Sequence, residues 1–532
     1  MNRFLLILAA SGLMLGACKP TQRTVIARPK PQQQQQTQQE QQPSAPENAT
    51  TPATEQAPQT PAQPQQAESP EAALLMVNIT RQGYNLITPW EKQPPSQRRV
   101  VGTYLGNGLV LTHSTALLNA TYAELSLPDS SRTVPARVVR YDNDLGLGLL
   151  AVVHESDASL FESRKAHEVG EPLTRGDSAE IWCTLNGTEP LRVPLHVQVG
   201  SSDAGMPRLL LQAEQAVPDS FSYGAPIMKD GKLVGLSAGY EPGGRKLTII
   251  NAELLQRFLT QAENAPKGVP SIGLQVATLD DPVFRNYLKL QEGQTGVYVS
   301  KVIPHSAAAT AGISVGDVIT AVEGMSVDNL GRCDLPLYGM TPVGVALRYL
   351  KPLGQELNLT ISRDGSSHEK ALALNTDARD KALLSTEEPD AAPRYLVWGG
   401  MVFQPLTNTY MQALKGQARG TLPVEFMEIE NREEELHKAG YTELTALTQV
   451  IPTPATLGYE AVNFCVVEKV NGQTVHNFKD FAAKLDEATS NGIVEITINK
   501  APYHIYLDRA AAEAANENLS RSSVPVLRRI EP

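Results

Sequence analysis

The stretch Phe221-Ser222-Tyr223-Gly224-Ala225-Pro226-Ile227, followed by Asp230-Gly231-Lys232-Leu233-Val234-Gly235-Leu236, offers the most suggestive chemistry in this chain. A tight Gly-Ala-Pro-apolar loop runs into a turn and then into an apolar strand. Oxygen side chains gather on it: Ser220, Ser222 and Tyr223. A hydroxyl here becomes a nucleophile only with a base about 3 Å away. The Tyr223 phenol, with an ordinary pKa of about 10, cannot replace a serine hydroxyl without a different geometry. The nine histidines are scattered with no metal-ligand spacing. No Walker or Rossmann glycine pattern stands between a strand and a helix. Neither a metal nor a cofactor is expected.

The elements that must position this loop are short strands. From Ala72, the apolar runs Leu74 to Ile79, Val100 to Leu105, Leu109 to Leu111, Ala123 to Leu127, Val134 to Val139 and Leu145 to Val153 follow one another, with Gly106-Asn107-Gly108 as a turn. Strands at this spacing indicate a barrel or sandwich. A second strand-rich half runs from Ser178 to Ile250. Asn251 is then expected as a helix N-cap, with Leu254, Leu255, Phe258 and Leu259 as an apolar stripe. Two β halves closed by a helix resemble the chymotrypsin-like layout.

The order of motifs narrows the resemblance. Pro89-Trp90-Glu91-Lys92, Leu109-Val110-Leu111-Thr112 and Asp144-Leu145-Gly146-Leu147 are similar to segments of the HtrA/Deg proteases, the first being nearest the plant-type Deg branch. In that family the catalytic histidine stands three residues after the Leu-Thr pair, which here is Thr115; His113 is two places early. The orienting aspartate matches Asp144 and the nucleophile matches Tyr223. Phe221 stands where the family has a glycine of the oxyanion hole. One of three triad positions is kept, the one that only orients a histidine. His113 and Ser222 lie close in sequence to the lost positions, but neighbours on an extended or tight segment point in different directions. They are expected to be ordinary surface polar residues, as is Ser220.

Residues 268–375 resemble a PDZ domain of the same family. Ser271-Ile272-Gly273-Leu274 is similar to its carboxylate-binding loop, and Pro342 to Leu350 to its groove helix, with Val343, Leu347 and Leu350 on one face. The ordered series Gly296-Val297-Tyr298-Val299, Val302-Ile303-Pro304, Ala308 to Gly312 and Gly316-Asp317-Val318-Ile319 lies between them. Such domains bind a peptide by adding it as a strand beside the helix. Residues 376–392 are polar and read as a linker. Residues 393–532 resemble the divergent second PDZ domain and tail of plant-type Deg proteins, through Arg394-Tyr395-Leu396-Val397-Trp398-Gly399-Gly400, Val470 to Asn477 and Ala512 to Asn516. In that family this domain serves mainly oligomer contacts, so a homo-oligomer stays open. Glu428 to Glu435 reads as a solvated helix face.

Length and composition agree with several domains: 532 residues, 41% hydrophobic and 19% charged, are enough for three or four. A net charge of -11 argues against a nucleic-acid partner, which calls for a basic face. Arg3, the apolar run Phe4 to Leu15 and Leu15-Gly16-Ala17-Cys18 resemble a bacterial lipoprotein signal peptide over residues 1–17. Cys18 would be lipidated, and Lys19 after it points to the outer membrane, facing the periplasm of a bacterial envelope. Residues 18–68, rich in Gln and Pro with Gln32 to Gln36 inside, are expected to be a disordered tether of roughly 40 Å r.m.s.. Cys183, Cys333 and Cys465 have no CxxC pairing and read as buried small hydrophobes.

The fold class expected is thus mainly β: a chymotrypsin-like double barrel over 69–265, then two α+β PDZ domains. The function expected is an inactive HtrA/Deg-like homologue binding extended or C-terminal peptides of envelope proteins, tethered to a bilayer through Cys18. Two alternatives stand beside it: an active endopeptidase with a displaced triad of His113 and Ser222, and a structural subunit of a Deg-type oligomer.

Overall fold

The computed structural model describes residues 74–531, apart from 128–130, 162–163, 186–188, 204, 262–267, 388–389, 418–421 and 488–491. The expected signal peptide, Cys18 and the Gln/Pro-rich tether lie outside the described residues.

Twelve strands build two closed six-stranded barrels. The first holds β1 (Leu74–Arg81), β2 (Ser96–Gly106), β3 (Leu109–His113), β4 (Ala120–Ser126), β5 (Thr133–Asp142) and β6 (Leu147–Val152), in the order β1-β2-β3-β6-β5-β4. The second holds β7 (Ser178–Leu185), β8 (Glu189–Asp203), β9 (Met206–Ala213), β10 (Tyr223–Lys229), β11 (Lys232–Glu241) and β12 (Lys246–Asn251), in the order β10-β11-β12-β9-β8-β7. Closure leaves no free sheet edge. Local chemistry sets the hairpins. Asn107 (φ 51°) with Gly108 (φ 72°), and Asp230 (φ 51°) with Gly231 (φ 73°), put two successive residues in the left-handed region, the backbone that a two-residue hairpin turn needs.

Helix α1 (Ala252–Thr260) closes the second barrel through Leu254, Leu255 and Phe258, all buried. The apolar stripe read from sequence is therefore the packing face. Asn251 does hold the N-cap position, but its side chain does not cap. It is fully buried and bonds the backbone of Leu173 twice, Oδ1 accepting at 2.9 Å and Nδ2 donating at 3.0 Å.

The first PDZ-like unit contains β13 (Leu274–Ala277), β14 (Val297–Val302), β15 (Val318–Val322), β16 (Met325–Ser326), β17 (Arg332–Leu335), β18 (Gly339–Pro342), β19 (Glu356–Arg363) and β20 (Ser366–Ala373), with helices α2 (Pro282–Tyr287), α3 (Ala307–Thr310) and α4 (Val343–Tyr349). Its main sheet runs β13-β14-β15-β19-β20, so β13 is an edge strand. The stretch expected as a polar linker is partly packed. Helix α5 (Asp377–Asp380) lies in it, and Leu383 and Leu384 are buried in one core with Leu406 and Tyr410.

The last unit contains β21 (Tyr395–Trp398), β22 (Met401–Pro405), β23 (Thr445–Val450), β24 (Cys465–Val470), β25 (Gln473–Thr474), β26 (Ile493–Ile498), β27 (His504–Asp508) and β28 (Arg528–Arg529). Its helices are α6 (Asn408–Gln417), α7 (Val424–Met427), α8 (Ile429–Lys438), α9 (Phe478–Glu487) and α10 (Arg509–Ser522). Tyr395 is buried within its own chain, its ring 6.2 Å from Trp90 of the β1–β2 connection. The acidic run supplies the N-cap and the first part of α8, and Glu433 pairs with Lys301 of β14 at 2.8 Å. All three described cysteines are free and buried, and burial pushes the Cys183 and Cys465 thiols up to about 12.

Candidate active-site cleft and peptide groove

The cleft is assembled from three chain segments. β3 ends at His113, which faces Leu147 in the β3–β6 register. β5 ends at Asp142, and the β5–β6 loop carries Asp144. A 3-10 turn, Asp219–Phe221, leads through Ser222 into β10, whose first residue, Tyr223, pairs with Ala238 of β11.

His113 is not the surface residue expected. It is 7% exposed, and its ring meets the Tyr223 ring edge-on at 5.1 Å. Its Nδ1 lies 3.0 Å from Thr115 Oγ1 and accepts the Thr115 amide at 3.3 Å. Thr115 thus holds the His113 ring through its Nδ1. A methyl built on Gly146 would lie 3.1 Å from His113 Nε2 and 3.3 Å from an Arg208 terminal nitrogen. Both side chains therefore crowd the same face of Gly146.

Asp144 faces elsewhere. Its Oδ1 pairs with Arg348 at 3.3 Å, and its Oδ2 with Arg379 at 3.7 Å while accepting the Val269 amide at 3.3 Å. Arg348 belongs to α4 and Arg379 to α5, both outside the barrels. Each pair is about a third exposed, so each contributes no more than about 1 kcal/mol; together they fix direction. Next to it, burial raises the Asp142 carboxyl, against the hydrogen bonds that it accepts from Leu145 and Gly268.

The backbone that would form an oxyanion hole is committed. The Phe221 N–H donates to Pro218 O at 2.9 Å, and the Phe221 carbonyl accepts from Ser237 Oγ at 2.9 Å. The Phe221 side chain is buried and holds this turn inward. Ser222 is half-buried at the end of the turn, its amide bonded to Asp219 O at 3.1 Å. Ser220 is exposed.

Comparison with known proteins bears on this arrangement. Two PDZ domain models match, over residues 264–335 and 384–526. The mitochondrial Do-like 3 protein of Arabidopsis thaliana is 23% identical over 459 residues, 82% of this chain and 76% of that protein. Protease Do-like 2, chloroplastic, of the same plant is 24% identical over 84% of this chain and 72% of its own length. The periplasmic serine endoprotease DegP of Escherichia coli (strain K12) is 23% identical over 52% of this chain and 56% of its own length. A solved HtrA-type protease, AlgW with a decapeptide, overlaps at a TM-score of 0.40 with 17% identity, covering 57% of this chain and 95% of that one.

The chain is similar to HtrA/Deg-type proteases over most of its length. Those relatives are described as proteases, and this chain has two closed six-stranded barrels and two PDZ matches. The expected address is corrected by the same comparison. The relatives spanning most of the chain are mitochondrial and chloroplastic plant proteins, not bacterial outer-membrane lipoproteins. Among the described residues no helix is long and apolar enough to cross a membrane.

In the first PDZ domain, the expected peptide-binding residues take distinct places. Ser271 donates its amide to Asn375 O at 3.0 Å. The Ile272 and Gly273 carbonyls accept from Ala308 (3.1 Å) and Ile303 (2.8 Å), which makes the loop rigid. Leu274 opens β13, whose residues Gln275, Val276 and Ala277 are exposed along the sheet edge. Val343 and Leu347 differ from the expectation of an open groove face: they are 2% and 5% exposed, within the domain core, and Leu350 is half-buried against it. Sequence periodicity finds the apolar face of a helix but not which neighbour covers it.

Reasoning on the sequence missed the joint between second barrel and PDZ helix. Tyr338 OH donates to Glu253 of α1, Arg257 donates to Tyr349 O at 3.0 Å, and the two tyrosine rings meet edge-on at 5.6 Å. Burial raises the Glu253 carboxyl above its ordinary range, against the Tyr338 hydrogen bond; burial and the Glu253 charge push Tyr338 well above 10. A carboxyl raised in the fold contributes stability below its unfolded pKa and loses it as pH climbs through the folded value. Glu253→Gln keeps an acceptor for Tyr338 without the buried charge. The variant should gain in melting temperature over the parent at pH 8, and the gap should close toward pH 4. A gap that widened toward pH 4 would reject this account.

Proposed function

We propose that this protein is a catalytically silent HtrA/Deg homologue that captures extended or C-terminal peptides through its first PDZ domain, serving a scaffolding or regulatory role. The observation that carries the reading is the ion pairing of Asp144, the one retained triad position, with Arg348 and Arg379 instead of an imidazole. The turned-in Phe221 amide supports it, because losing one oxyanion donor costs about 10²–10³ in rate. The exposed edge of β13, beside a rigid loop, supports strand addition by a peptide.

Two assays test this. Unfolded casein incubated with the chain should remain intact; cleavage that disappears in Tyr223→Ala would overturn the silent reading. A fluorescent peptide library with free C-termini should bind residues 268–375 of the full chain, and C-terminal amidation should weaken it. Silence across the library would favour a purely structural subunit.

A further inference from the structure

We propose that Ser178, His196 and Glu214 form a second nucleophilic site, on the outer face of the second barrel, that accepts acyl groups from activated esters. None of the three takes part in the cleft of His113, Asp144 and Tyr223. They stand on neighbouring strands. Ser178 opposes His196 in the β7–β8 register, His196 opposes Gln212 in the β8–β9 register, and Glu214 follows two residues later on the same side. Ser178 Oγ lies 2.9 Å from His196 Nδ1, and His196 Nε2 lies 2.9 Å from Glu214 Oε1.

One tautomer satisfies both contacts. A proton on Nε2 donates to Glu214, which leaves the Nδ1 lone pair to accept from the Ser178 hydroxyl. That is the state a general base must hold before attack, with the two ring nitrogens exchanged relative to the trypsin-like arrangement. Ser178 is exposed and borders a cleft of about 450 Å³, lined also by Glu180, Trp182, Arg192, Met228 and Lys229. A cleft of this size takes a small molecule. Trp182 forms its apolar wall, with the Arg192 guanidinium 4.8 Å from the ring centre. Arg192 is held by Glu180 at 3.7 Å and Lys229 by Asp177 at 2.8 Å, so two cations line the same cleft as Ser178.

The reaction balances without a cofactor. Ser178 Oγ attacks the ester carbonyl carbon, its proton passes to His196 Nδ1, and the carbonyl electron pair moves onto oxygen. Collapse of this adduct breaks the bond to the leaving oxygen, which takes the proton from His196. The acyl group stays on Ser178 until water, deprotonated by the same imidazole, releases the acid. Glu214 is a positioning residue: it fixes the tautomer and balances the imidazolium. The charge stabilisers are long cationic side chains at a water-open cleft rather than a fixed pair of amides. Aryl esters and fluorophosphonates are therefore the substrates expected, not amides.

The test uses the full chain with p-nitrophenyl acetate, and with a fluorophosphonate probe followed by peptide mapping. The probe should label Ser178. Ser178→Ala should remove that label and lower nitrophenolate release at least about tenfold above background, since a positioned base contributes about 10²–10⁴-fold. His196→Ala should lose a similar factor and recover part of it with added imidazole. Glu214→Asp should retain more activity than Glu214→Ala, a rescue that a merely structural role would not require. All three residues are exposed, and melting curves confirm that each variant is folded. No label, or a release rate unchanged in Ser178→Ala, overturns the proposal. Label at Ser222 in place of Ser178 overturns it and the silent cleft together.

Discussion

Gly200→Ala should unseat the first PDZ domain from the second barrel. Gly200 lies on β8, and a Cβ there would come 2.1 Å from the carbonyl oxygen of Tyr338, in the β17–β18 connection. Real Cβ atoms do not come so near, and the obstacle is backbone, which cannot rotate away as a side-chain tip can. The hairpin must retreat from β8. That strains the Tyr338–Glu253 bond and moves α4, which carries Arg348 toward Asp144. Overpacking of this kind costs about 1–3 kcal/mol and more when backbone must shift. We expect a melting temperature lowered by several degrees and faster tryptic cleavage after Arg379 and Lys381. An unchanged melting curve and digestion pattern would show that the barrel and the PDZ domain do not depend on this contact.

Arg208→Met should be the most damaging single change in the cleft. Arg208 is 1% exposed, the largest fully buried side chain among the described residues. Its guanidinium donates to Leu145 O at 2.9 Å, Pro207 O at 3.1 Å and Asp144 O at 3.4 Å. Its charge also opposes the raised carboxyl of Glu253 and lowers the Tyr338 phenol against other effects. Methionine keeps most of the volume but leaves the Leu145 carbonyl without this donor and Glu253 without a counter-charge. Removing one side of a buried charged network costs about 3–5 kcal/mol. The urea midpoint, followed by backbone circular dichroism, should fall clearly, and Glu253→Gln in the same chain should restore part of it. A variant as stable as the parent would mean that the guanidinium is not what holds the β5–β6 loop.

The two changes bear on one design. In an acting serine protease the aspartate in this loop turns toward a histidine. Here the loop is held from below by Arg208 and from outside by two arginines of the PDZ side. The Asp144 carboxylate is a contact between the barrels and the PDZ side. Neither the His113–Thr115 contact nor the Phe221–Pro218 bond involves the Tyr223 side chain.

Much of this molecule is written locally. The hairpin pairs Asn107-Gly108 and Asp230-Gly231 need left-handed backbone wherever they fall, and period-two alternation in stretches such as Ala123 to Leu127 requires one buried face. Those features point to a strand-rich barrel or sandwich, and the resemblance to HtrA/Deg proteases, carried by the ordered motifs, supplied the double barrel and the PDZ units. The burial of Cys183, Cys333 and Cys465 was likewise readable from isolated spacing. What only the folded chain decides is which distant groups meet. Asp144 and Arg348 are 204 residues apart, Glu253 and Tyr338 85, and Ser178, His196 and Glu214 come together only through the register of three strands. No local pattern encodes such pairs, because their energy depends on packing that brings the segments together before either side chain can favour the contact.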